Sequence, residues 1–280
     1  MQKHKALKSV GIYLILCIIA ILSLFPLLWG FSSSFRTDNE MYKYALPFTI
    51  HTLVPVHFTF DSYISLFRDM GFLQPVINTA VVTAVSIAFG CLINSIAAFS
   101  FACFNFKFKK IIYGIVLFSF MIPFESIAIP LYNVVNGFNW VDTYAGIIVP
   151  GLADGLVLFL FTQFFKEIPV SLLEAARVDG ASWPVIFIKI IIPLSVPVFI
   201  TAGLMIFMGQ WNSYLWPLLV ARSREMQMIQ IALSAFQTEH ATMWSDMYAG
   251  TMISAVIPLF LFLPLQKYFV QGITSSGVKG

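Results

Sequence analysis

Two carboxylates, Glu125 and Asp154, stand inside long apolar runs of the chain. An ionised side chain at mid-bilayer depth costs on the order of 2.5 to 3.5 kcal/mol by insertion scales, so each must face a bundle interior or water. Both are therefore candidates for lining a pathway, and an ion-coupled secondary transporter would use them as proton or sodium sites. The plainer reading of each is a structural hydrogen bond or, for Glu125, a place near the outer interface. Asn78 and Asn94, polar on another apolar run, read first as hydrogen-bonding glue between helices, with Asn78 also a pathway candidate. No nucleophile and base pair or metal-ligand cluster stands out, which argues against an intramembrane enzyme. Cys17, Cys91 and Cys103 lack paired spacing and read as small apolar packing residues.

The most informative stretch runs from Lys166 to Pro193, KEIPVSLLEAARVDGASWPVIFIKIIIP. The residue before Pro169 is pushed out of the helical region, so Ile168-Pro169 ends one helix. Ser171 and Glu174 have the Ser-x-x-Glu spacing of a capping box and predict the start of a second. Ala175 and Ala176 would leave a narrow face that another protein could approach closely. Asp179-Gly180 predicts the stop, with Gly180 free to adopt the left-handed conformation at the helix end. Ser182 then caps a third helix with Pro184 in its first turn. The expectation is helix, tight turn, helix.

The elements that position these residues follow from composition. Of 280 residues 59% are hydrophobic and 10% charged, with a mean hydropathy of +0.87; soluble domains run near 45 to 50% apolar and about 25% charged. Six apolar runs, near 10–31, 76–103, 111–131, 143–165, 191–213 and 249–269, are long enough to cross roughly 30 Å of hydrocarbon. The first lacks a cleavage site of small residues and is kept as a span. The expected organisation is a tail at 1–9, a six-helix transmembrane domain at 10–270 that includes the 166–193 loop, and a tail at 271–280. Prolines at 26, 123, 130, 150, 197, 258 and 264 fall in the runs and predict kinked helices around a pathway.

Orientation follows from the sixteen Lys and Arg. Lys3, Lys5 and Lys8, then Lys107, Lys109 and Lys110, then Lys166, Arg177 and Lys189, and finally Lys267 and Lys279, fall on one face; Arg36, Lys43, Arg68, Arg222 and Arg224 fall on the other. The positive-inside rule places both termini and the 166–193 loop in the cytoplasm. The net charge of +3 is thus a matter of topology, not of nucleic-acid binding. Outer segments are expected over Ser32 to Pro75, Asn133 to Asp142 and Tyr214 to Tyr248, none large enough for an independent domain. Asp142-Thr143 fits a helix start. Trp29, Trp140, Trp211, Trp216 and Trp244 lie near outer ends and fit an interfacial belt, or platforms for sugar rings.

Glu174-Ala175-Ala176, Gly180, Ile190 and Pro193-Leu194, at their spacing, match the EAA loop of ABC importer permeases. With Asp179-Gly180-Ala181-Ser182 added, the chain resembles the carbohydrate-uptake branch, in particular its shorter, six-span subunit of the maltose-permease G type. Asn78-Thr79, Ala97-Ala98-Phe99, Met121-Ile122-Pro123, Pro130-Leu131-Tyr132, Trp211-Asn212, Trp216-Pro217-Leu218 and the closing Gly272-Ile273-Thr274 to Val278-Lys279-Gly280 extend the resemblance over almost the whole chain. Leu173 stands where the family often has an acid, and the outer pattern differs around Met228-Ile229-Gln230.

The resemblance implies an all-α integral membrane subunit of a sugar importer in a bacterial cytoplasmic membrane. Two ATP-binding cassette subunits, a second related permease and an extracytoplasmic sugar-binding protein would complete it. It implies that Glu174, Ala175, Ala176, Asp179, Gly180 and Ala181 couple to the ATPase, that Gly277, Val278 and Lys279 reach toward it, and that Trp211 and Asn212 join the pathway candidates. ATP and magnesium would sit on the partner subunits. Although Gly272 and Gly277 are spaced as in a phosphate-binding loop, Val278 and Gly280 replace the lysine and hydroxyl such a loop needs.

Overall fold

The computed structural model describes residues 2–237 and 243–277, and among them every regular element is helical. In chain order the α-helices are α1 (Gln2–Ser33), α2 (Asp38–Lys43), α3 (Ile50–Leu53), α4 (Asp61–Arg68), α5 (Leu73–Cys103), α6 (Lys109–Ser119), α7 (Phe124–Gly137), α8 (Tyr144–Ile148), α9 (Gly155–Lys166), α10 (Val170–Val178), α11 (Trp183–Ile186), α12 (Ile192–Leu194), α13 (Val196–Trp211), α14 (Leu215–Val220), α15 (Ile229–Ser234) and α16 (Trp244–Gly277). Short 3-10 turns follow α8 and precede α15, and a π-helical turn over Phe187–Ile191 joins α11 to α12.

Among the described residues three helices are long and apolar enough alone to cross a membrane, over Gly11–Ser33, Leu73–Cys103 and Trp244–Gln266. The other three apolar runs are not single rods. They form helix pairs bent by 99° (α6 with α7), 45° (Tyr144–Gly151 with α9) and 81° (Trp183–Leu194 with α13) that are apolar enough only jointly. The breaks fall in the runs expected over 111–131, 143–165 and 191–213, where the prolines predict kinks, and at 99° and 81° two of them are sharper than a kink within one helix. Proline chemistry sits at the breaks: Pro123 is the N-cap of α7, Pro150 lies in the 3-10 turn before α9, and Pro197 opens α13. A proline lacks the N–H that would continue the preceding helix and restricts the residue before it.

The chain forms two compact units, Met1–Leu73 with Leu233–Val256, and Gln74–Ala232 with Ile257–Gly280. In the first, the segment after α1 has a core of its own. Phe35 stacks on Phe58 at 4.5 Å and meets Phe31, Phe60 and Tyr63 edge-on or tilted. Buried Arg36 lies 4.0 Å from the carboxylate of buried Glu40, which also accepts the backbone N–H groups of Val56 and His57. Burial pulls the Arg36 guanidinium below its ordinary pKa, and Glu40 opposes that shift. Trp29 donates to the Thr52 carbonyl, and Gly30 lies against Met252 of α16. The apolar window of α1 is wholly unburied by the chain itself, as a lipid-facing or partner-facing helix would be.

The second unit is organised on α5. One core joins Phe99 of α5, Phe161 and Phe165 of α9, Leu173 of α10, Ile186 and Phe187, and Ala202 of α13. A second joins Val82, Val135, Ile147, Trp216, Val220 and Met228. The segment after Tyr214 is accordingly not a free loop up to Ala232: Asn78 donates to the carbonyls of Glu225 and Gln227, Thr79 accepts from Ile229, and Trp216 donates to Gly146. Asp142, with a positive φ of 64°, accepts from Ser223, and Thr143 caps α8 through Gly146 as its sequence predicts.

Candidate functional site

The helix-turn-helix between α9 and the 81° bend is present, with a different start. Helix α10 begins at Val170 with Pro169 as N-cap, so Ser171 lies within the first turn and caps nothing. The expected capping box is therefore absent. Its reason is Pro169, whose fixed φ of -58° is already that of a helix and starts the turn before the serine. Glu174 is released from that role and is exposed, as are Ala175 and Asp179.

The turn closes as a Schellman motif. Ala181 N–H donates to the Ala176 carbonyl at 2.9 Å, Gly180 N–H to Arg177 at 3.1 Å, and Gly180 has φ +84°. Ser182 occupies the N-cap of α11 without a side-chain cap bond, and Pro184 falls in the first turn. Arg177, which sequence reasoning placed only as a basic marker, locks the corner: it donates to the Ala181 carbonyl at 2.7 Å and lies 5.1 Å over the Trp183 ring. Trp183 in turn meets Phe104 at 4.7 Å and Phe99 at 6.2 Å at the end of α5.

The alanine pair divides between two jobs. Ala176 packs on the core that holds Leu173, whereas Ala175 faces out. The open side of α10 also carries apolar side chains: Val170 is 64% and Val178 87% exposed. The elbow thus offers Glu174, Ala175 and Val178 outward while Leu173, Ile186 and Phe187 anchor it to α5, α9 and α13. Of the tail residues named from sequence, Gly277 ends α16, and Val278 and Lys279 lie outside the described residues.

A cavity of about 1020 Å³ opens among α5, α6, α7, α9 and the end of α13. Its walls are mostly apolar and aromatic, with Phe101, Phe120, Phe124, Tyr214 and Trp216, and its polar side chains come from Asn94, Ser119, Asp154, Gln210 and Ser213. Asp154 sits at the break of the 45° pair as the N-cap of α9, where one carboxylate oxygen accepts from Leu156 at 2.8 Å and Val157 at 3.0 Å. Glu125 lies in the first turn of α7, exposed, one residue beyond cavity-lining Phe124. Both acids within apolar runs therefore stand at N-terminal ends of half-helices, where the macrodipole favours a negative charge. That accounts for their presence without a proton or sodium relay.

Asn94 pins the same break: it donates to the carbonyls of Gly90 and Leu152 and accepts from Asp154 N–H. Across the break, a Cβ on Gly155 would lie 2.7 Å from the Phe120 ring, so only glycine permits this approach between bent pairs. Asn78, fully buried, accepts from Gln74 and Tyr144 and donates twice, a structural staple rather than a pathway wall. Trp211 is likewise buried at 2% exposure, stacked on Phe207, and neither belt nor platform. Asn212 is exposed and donates to the Met208 carbonyl at the end of α13. Among the described residues no three His, Cys, Asp or Glu side chains gather as a metal site.

Residues 90–274 match the family model of binding-protein-dependent transport system inner membrane components. A relative from Halalkalibacterium halodurans, the arabinooligosaccharides transport system permease protein AraQ, is 31% identical over 265 residues, covering 94% of this chain and 93% of its own. The fold matches a chain of a bacterial ABC transporter involved in the import of the acidic polysaccharide alginate, with TM-score 0.83 and 23% identity over 94% and 97% of the two chains. It also matches a bacterial alginate ABC transporter in complex with an alginate pentasaccharide-bound periplasmic protein, with TM-score 0.62 and 16% identity over 93% and 94%.

Proposed function

We infer, because this chain belongs to the binding-protein-dependent transport system inner membrane components, that it is the non-catalytic permease subunit of an ABC importer for sugars, most simply oligosaccharides. Its six spans, three of them broken, enclose half of a translocation path. A second related permease encloses the other half. Two ATP-binding cassette subunits hold ATP and magnesium and dock on the cytoplasmic face, where both termini and the elbow lie. An extracytoplasmic binding protein delivers the solute.

One observation carries the coupling role: the elbow is at once outward-facing and anchored. Glu174 and Val178 are available to a partner, and Leu173, Ile186 and Phe187 share one packed core with α5, α9 and α13. Packed interiors transmit displacement and do not absorb it, so a push on α10 reaches the bent pairs that border the cavity. Purification of the chain from its native membrane tests the reading. Co-elution with an ATPase, and sugar uptake that requires ATP and a binding protein, are expected; uptake by the chain alone in ion-loaded vesicles would overturn it.

A further inference from the structure

The cavity carries information about the charge of the solute, provided it lies on the path assigned above. No lysine, arginine or histidine is among its described lining residues, and Asp154 is the one lining residue with a formal charge. Anions in sites shielded from water are met by cations or by free N–H groups at helix N-termini. Of the helix N-termini at the cavity, that of α9 is already taken: Leu156 and Val157 N–H bind the chain's own Asp154. At the neighbouring α7, Glu125 occupies the first turn.

We propose that the solute passing this chain's half of the path is an uncharged oligosaccharide, and that Asp154 disfavours uronates and sugar phosphates. Aromatic faces at Phe120, Phe124, Tyr214 and Trp216 suit the C–H faces of sugar rings, while Gln210, Ser213 and the second Asp154 oxygen suit hydroxyls. An acidic sugar would meet like charge in a half-enclosed, apolar-walled space, where charge interactions are several-fold stronger than in bulk water. The fold itself does not set this preference, since it matches a transporter involved in import of an acidic polysaccharide; the lining does.

The test uses the complete importer in proteoliposomes with enclosed ATP, offered panels of neutral oligosaccharides and of oligouronates of equal length. Neutral sugars are expected to accumulate, with uronate uptake at least about tenfold lower. Asp154→Asn, which keeps a good N-cap, and Gln210→Lys, which leaves the cap untouched, should each raise the uronate-to-neutral uptake ratio roughly three- to tenfold, from the strength of a single charge at this range. Uronate uptake equal to or above neutral uptake in the wild type overturns the proposal while the importer reading stands. So does a ratio unmoved in both variants, which would place all discrimination in the binding protein. Failure of every probe to accumulate with ATP removes the importer reading and this inference together.

Discussion

Replacing Gly180 with alanine isolates backbone strain at the elbow from every other effect. Gly180 has φ +84°, and a Cβ built there meets nothing within 4 Å, so no steric clash accompanies the change. The penalty is that of an L-residue held in the left-handed region, about 1 to 2 kcal/mol. That reduces the population of the correctly angled turn by roughly 5- to 30-fold relative to alternatives. Asparagine, which tolerates this region better, should recover part of the loss. The assay is ATP hydrolysis by the assembled importer stimulated by its loaded binding protein, with membrane yield as the control for folding. The expected order is Gly, Asn, Ala, with yield little changed. Stimulation in Gly180→Ala equal to wild type, or Asn worse than Ala, would refute the claim that the glycine turn sets the elbow.

Three further outcomes follow from the same geometry. Glu174→Lys removes an exposed side chain with no cap to maintain, so insertion and yield should persist while stimulated hydrolysis is lost; retained stimulation would free Glu174 from coupling. Asn78→Ala leaves the Glu225 and Gln227 carbonyls and the Tyr144 hydroxyl without their partner, and thermal denaturation should report about 2 to 4 kcal/mol of lost stability. Gly155→Ala drives a methyl into the Phe120 ring and should destabilise by about 1 to 3 kcal/mol, with Phe120→Leu restoring part of it in a double-mutant cycle read by the same melt.

The parts legible in the sequence are those fixed by local chemistry. Apolar runs announced membrane crossings, Gly180 announced the left-handed stop, and Thr143 announced the start of α8. The breaks at Pro123, Pro150 and Ser195 were only half legible, because proline also sits inside α1, α7 and α16 without ending them. The capping box failed because two local signals competed and Pro169 acted two residues earlier than Ser171. The surroundings of Asn78 and Trp211 were illegible for a different reason. Whether a polar or aromatic residue faces a path or a neighbour depends on segments far along the chain, and Asn78 is satisfied by carbonyls at 225 and 227. Arg177 and Trp183 escaped notice because their contact exists only once the turn has formed.

Site-specific photo-crosslinking from Val178, beside the Gly180 turn and 87% exposed, addresses the coupling role most directly. In intact cells the account predicts an adduct between this chain and an ATP-binding subunit whose yield changes with nucleotide state. Capture of an extracytoplasmic protein instead, or labelling of a cysteine at 178 by an impermeant reagent added outside, would contradict it.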